Sequence, residues 1–138
     1  MAALNYGYRY GERDLVSHPV KAGETWEAGD GIVLSSGYLA KAAAGGSLWA
    51  VAFDAVVTAP AANGDIFATV DRSTISTYEW PVGTGTITQA MVGTTCDISG
   101  PQGIDVTASA DDCILIVKPN VALNTALIQI RPAAAGVV

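Results

Sequence analysis

The chain reads as an all-β domain, a compact barrel or sandwich of about ten short strands with one short helical turn and extended terminal arms. Three observations point there. Apolar runs are short and end at Gly, Pro, Asn or Asp; residues of alternating polarity recur from end to end; and almost nowhere do apolar residues keep the spacing of a helix. The 138 residues suit one domain. It divides into an N-terminal arm over 1–18, a β domain over 19–132 and a small-residue tail over 133–138.

The arm places Tyr6, Tyr8 and Tyr10 at every second position, with Gly7 and Arg9 between them and Arg13 following. Extended backbone sends the three tyrosines to one side and Arg9 to the other. Such a strip fits an arm laid on a partner's sheet, and it equally fits a first strand packed on the protein's own sheet. His18 precedes Pro19 and is therefore biased to extended geometry.

The segment from Pro19 to Ala42 holds two tight turns, Ala22-Gly23-Glu24 and Ala28-Gly29-Asp30. After them Ile32-Val33-Leu34, Ser35-Ser36-Gly37 and a second apolar run read as a hairpin. No longer internal repeat is visible. From Leu48 to Asp54, Trp49, Val51 and Phe53 share one face, expected to be the heavy inner one, and Ala50 and Ala52 the other. Asn63-Gly64-Asp65 is a turn, Ile66 to Val70 a strand, Asp71-Arg72-Ser73 a turn and Ile75 to Val82 another strand.

Beyond the break at Gly83-Thr84-Gly85, residues Thr88 to Gly93 form the one credible helical turn, capped by Thr86 or Thr88, with Ile87, Met91 and Val92 facing the core. Thr94 to Ile98 and Ile104 to Thr107 are strands on either side of the turn Ser99 to Gly103. Cys113 to Val117 is apolar on both faces, as in a central strand covered on two sides or a strand at an interface. The last strand, Thr125 to Arg131, turns Ala126, Ile128 and Ile130 inward before Pro132 stops it.

Charge narrows the function classes. Thirteen acidic residues stand against seven basic ones, scattered along the chain, for a net charge of -6. No cluster exists that could neutralise several phosphates, which argues against nucleic acid. Charged residues are 14% of the chain, well under the roughly 25% of ordinary soluble domains, so part of the surface is expected to be covered in use. Neither a secretory signal pattern nor an apolar run long enough for a bilayer is present, and synthesis in a cytoplasm is the expectation. Cys96 and Cys113 read as buried thiols or, less readily, as a disulfide.

Little in the chain suggests catalysis. His18 is the one imidazole, and no Gly-x-Ser-x-Gly elbow accompanies it. The acid pairs Glu24 with Glu27, Asp65 with Asp71 and Asp111 with Asp112 sit in or beside turns, where carboxylates cap backbone amides. Calcium-loop and P-loop patterns are absent, and two cysteines with one distant histidine lack zinc spacing. No catalytic, cofactor or metal residue is therefore named. Trp26, Tyr38, Trp49, Tyr78 and Trp80 leave open a sugar-stacking platform, as in a carbohydrate-binding module, with Trp26 between its two acidic turns as the exposed anchor.

The segments Pro19 to Ala42, Asn63 to Thr74 and Thr88 to Ile98 resemble small capsid decoration (cement) proteins of tailed bacteriophages. Val20-Lys21-Ala22-Gly23, followed by a Gly-Asp turn and an apolar strand, is similar to the opening of their β-barrel domains. The resemblance covers most of the chain and rests on overall pattern. It implies a structural protein on the capsid outer surface of a virion that bridges neighbouring major capsid protein subunits and associates with itself as a trimer or dimer. It carries over no catalytic residue. On this reading Tyr6, Tyr8, Arg9, Tyr10, Arg13 and Trp26 are the candidate partner-binding residues.

Overall fold

The computed structural model describes residues 7–131. Tyr6, Pro132 and the tail over 133–138 lie outside the described residues. The strands, in chain order, are β1 (Gly7–Tyr10), β2 (Leu15–Pro19), β3 (Gly31–Ser35), β4 (Tyr38–Lys41), β5 (Ala50–Ala52), β6 (Phe67–Asp71), β7 (Thr77–Thr84), β8 (Thr95–Gly100), β9 (Gly103–Asp105), β10 (Ile114–Asn120) and β11 (Thr125–Ile130). The helical turn is a single turn of 3-10 helix, Gln89–Met91.

Two sheets form, six strands in the order β1-β7-β11-β10-β8-β9 and five in the order β2-β6-β5-β3-β4. The all-β, sandwich-like architecture is as the sequence leads one to expect. Each sheet also curls closed through one parallel contact. β7 pairs with β9 at Val82 opposite Ile104. Val20, the residue after β2, bridges to Leu39 of β4, and Lys21 N–H donates to the Leu39 carbonyl at 2.9 Å. The result is an N-terminal ring of β2 to β6 and a C-terminal ring of β7 to β11, with β1 added to the outer edge of β7.

The two rings repeat each other in register. In the N-terminal ring Pro19 faces Phe67 and Val16 faces Val70; Val70 faces Ala52, Ala50 faces Ile32, Leu34 faces Leu39, and Leu39 meets Val20. In the C-terminal ring Pro81 faces Thr125 and Tyr78 faces Ile128; Ile128 faces Ile116, Ile114 faces Cys96, Ile98 faces Ile104, and Ile104 meets Val82. Step for step the circuits match, and both start from Pro-Val.

Hydrogen bonds outside the ladders match as well. Gly29 N–H donates to the Ala52 carbonyl at 2.9 Å while Ala52 N–H donates to Asp30 at 2.8 Å; Gly93 to Ile116 and Ile116 to Thr94 repeat the pair at 2.8 and 3.0 Å. Gly29 (φ 93°) and Gly93 (φ 82°) both occupy the left-handed region that glycine enters at least cost. The repeat that the sequence hides is thus plain in the backbone.

The rings enclose separate cores. Trp80, Ile87, Ile98, Ile104, Ile114, Ile116, Ile128 and Ile130 dominate the C-terminal one, and Val20, Trp26, Ile32, Leu39, Ala50, Ala52 and Val70 the N-terminal one. β5 lies between them, because Val51 belongs to the first cluster and its neighbours Ala50 and Ala52 to the second.

Several expectations change. Residues 7–18 are not a free arm: β1 joins the six-stranded sheet and β2 the five-stranded one, because their backbone groups find ladder partners on β7 and β6. Trp49, Val51 and Phe53 do not form one heavy inner face: Val51 is buried, Trp49 half-buried and Phe53 exposed, while Ala50 and Ala52 are buried too. β10 is central, between β11 and β8, but fully covered on one side alone, Ile114 and Ile116 being buried and Leu115 and Val117 half-buried. Val92 faces out, whereas Ile87 is buried as expected and Met91 is half-buried.

Candidate functional site

Of the residues named from sequence, Tyr8, Arg9 and Arg13 lie beside β7, where the rings meet. β1 brings Tyr8, Arg9 and Tyr10 to β7, but a bulge between Tyr8 and Tyr10 breaks the two-residue alternation, so the tyrosines do not form one strip. The Tyr8 ring stands edge-on to Tyr78, centroids 5.8 Å apart, and its hydroxyl donates to the Gly11 carbonyl. Arg9 is paired with Glu79 at 3.1 Å. Tyr10 is exposed.

Arg13 lies with its guanidinium 3.7 Å from the centroid of the Tyr8 ring and 4.9 Å from that of Phe53, a stacking that suits a weakly hydrated planar cation. Its Nε is buried, without a hydrogen bond, 3.9 Å from Asp71. Asp71 is almost wholly buried and accepts from the Tyr78 hydroxyl at 2.6 Å and from the Ser73 and Asp14 amides at 2.9 and 3.0 Å. Burial, and then the bond to Asp71, push the Tyr78 hydroxyl well above its ordinary value. This group joins the last strand of one ring to the first of the other. A cavity of about 190 Å³ lies beside it, lined among others by Gly7, Tyr8, Arg13, Phe53 and Tyr78.

Trp26, expected as an exposed anchor, is 4% exposed. Its backbone exchanges hydrogen bonds with Val56 at 3.0 and 2.9 Å and its indole N–H donates to the Asp54 carbonyl at 3.0 Å, so the segment after β2 folds it into the N-terminal core. Trp80 is fully buried, and Trp49 meets the tilted His18 ring at 4.9 Å and carries the Arg72 guanidinium over its ring at 4.1 Å. The acids of the turns hold backbone. Glu24 accepts from the Lys41 amide, Asp65 from Ala62, and buried Asp97 from Ala110, Asp111 and Asp112 at 2.8 to 3.0 Å.

Cys96 and Cys113 are free, buried thiols in the C-terminal core. Burial pushes Cys96 up to about 12 and raises Cys113 as well. Such thiols stay protonated and pack as small apolar groups. Among the described residues no three His, Cys, Asp or Glu side chains stand together as metal ligands would.

A surface absent from the sequence reading is apolar and lies on the N-terminal ring. Val57 is 87% exposed and Phe67 63%, with Phe53 and Ile66 exposed beside them in sequence. Residues 54–60 and 65–68 line a shallow groove of about 590 Å³ there. From Asp54 to Ala62 Pro60 and the alanines mask any period in the sequence; Val56-Val57 is the available sign, one side chain buried and the other exposed. No known protein family, curated protein or solved structure matches the chain.

Proposed function

We propose that the protein is a structural component of a tailed-phage virion, made in the host cytoplasm, that binds the capsid outer surface and stabilises it by bridging major capsid protein subunits. The observation that carries this reading is the apolar surface of Val57, Ile66 and Phe67 on a thinly charged domain. Apolar residues gathered on one surface suit a lasting protein contact, whose centre is typically depleted of charge. The ring junction supplies rigidity, and Tyr10 and the partly exposed Tyr8 stand beside it as further contact residues.

Co-sedimentation with phage shells lacking their decoration tests it. Val57→Glu together with Phe67→Glu, both at exposed positions, should weaken binding at least about tenfold, equivalent to about 1.4 kcal/mol, while the circular dichroism spectrum stays that of the wild type. Undiminished binding by the folded variant would sink this surface's role. The carbohydrate-module reading has no exposed tryptophan among the described residues to serve as its platform, since Trp26 and Trp80 are buried and Trp49 is covered on its ring by Arg72.

A further inference from the structure

The register repeat makes one asymmetry informative. In the C-terminal ring the first strand, β7, pairs with β11 on one side, and on the other its end closes the ring while Thr77 to Glu79 are covered by β1, antiparallel, with Tyr8 opposite Tyr78. Through the matched pairings, Leu15, Val16 and Ser17 of β2 are the counterparts of Thr77, Tyr78 and Glu79. β2 pairs with β6 on one side and closes its ring at Val20, yet it is terminal in its sheet, so among the described residues Leu15 to Ser17 carry no strand where β7 carries β1.

That edge also lacks the usual protection. Exposed strand edges are blunted by charge, bulges or proline. β1, the corresponding outer edge of the other sheet, has Arg9 and a bulge. Leu15-Val16-Ser17-His18-Pro19 has no Lys, Arg, Asp or Glu, pairs with β6 without a bulge, and keeps its proline to the last position. Leu15 is exposed, and on the same outer face Pro19 stands opposite Phe67, the start of the apolar surface described above.

We infer that β2 is a docking edge for β2 of a second copy of this chain, the two strands pairing antiparallel about a two-fold axis at Leu15 to Ser17. Among the described residues the one β1-type strand is already seated on β7, and a second molecule brings an equivalent free edge. A two-fold axis makes the pairing antiparallel, as β1 is on β7, and closes both free edges at once. Alternate residues of β2 direct N–H and C=O groups away from β6, as ladder geometry requires, and these are the groups that pair. The inference does not depend on the capsid reading.

Mass in solution tests it with the full chain. Wild type should have twice the mass of one chain. Leu15→Lys with Ser17→Lys, and separately Leu15→Glu with Ser17→Glu, place like charges across the axis in either register and should each give the single-chain mass; an equimolar mixture should restore the double mass as a mixed pair. Both positions are exposed, and Ser17→Lys and Ser17→Glu alone provide the same comparison if a double variant does not fold. A monomeric or trimeric wild type, a double mass that survives both charge sets, or a mixture that fails to re-pair would each overturn the assignment.

Discussion

The two rings share register and differ in what fills them. Where the C-terminal ring carries Ile114, Ile116 and Ile128, the N-terminal ring carries Ala50, Ala52 and Val70. Strand isoleucines supply most of the first core, with Ile87 and Leu48 added from connections; the second has smaller strand residues and is completed by Trp26 and Val56 from its connections. One architecture thus admits two packing solutions, and the solution with small strand residues draws a large indole from a connection into the core. Close packing demands this, because an unfilled volume forfeits contacts on every wall.

Trp26→Ala should therefore be the most damaging change in the N-terminal ring, costing about 3–5 kcal/mol, as read from urea denaturation. Ala52→Ile alone should destabilise by about 1–3 kcal/mol through overpacking. Combined with Trp26→Ala it should recover part of the loss, and strict additivity would show that the indole does not occupy the room left by the alanines.

Alkaline pH should separate the rings next, since Tyr78, Cys96 and Cys113 all belong to the C-terminal ring or its core cluster. An unfolded thiol ionises near 9.0 while folded Cys96 holds its proton to about 12. The unfolded state therefore loses protons first, and the stability present below pH 9.0 falls as pH rises towards 12. Cys96→Ala should flatten that decline, and an unchanged slope would remove the thiol from the account. Each pKa unit is worth about 1.4 kcal/mol, so the effect exceeds that of one hydrogen bond.

Tyr78→Phe removes a donor from buried Asp71 and should cost about 1–3 kcal/mol. A smaller loss in thermal melts would mean that Arg13 moves in to replace it. The finest comparison is Gly29→Ala against Gly93→Ala. An added Cβ meets nothing closer than 3.7 Å at Gly29 and nothing within 4 Å at Gly93, so each should cost about 1 kcal/mol for its positive φ alone. Unequal losses would mark the point where the repeat stops.

Much of the strand pattern was legible. The Ser35-Ser36-Gly37 hairpin was, because Ser36 (φ 51°) and Gly37 (φ 85°) take the positive angles of a tight primed turn. So was Ala126-Ile128-Ile130 facing inward, since that strand has one covered face. β5 defeated the alternation rule because it separates two cores and is buried on both faces. The candidate site was legible only in part: Tyr8 and Arg13 do come together, but over Tyr78 and Asp71, partners far along the chain. Trp26 was misplaced because acidic turns around a residue say nothing about which loop folds back over it.

Local chemistry by itself determined the all-β class, most turns and the thinly charged surface, since each follows from neighbouring residues and from composition. Tertiary structure alone decided the two closed rings, their matched register, the burial of Trp26 and the bare edge of β2. Ring closure depends on Val20 meeting Leu39 and Val82 meeting Ile104 across intervening strands. Backbone pairing sets that register while leaving side-chain identity free to drift, so the sequence keeps almost no trace of the repeat.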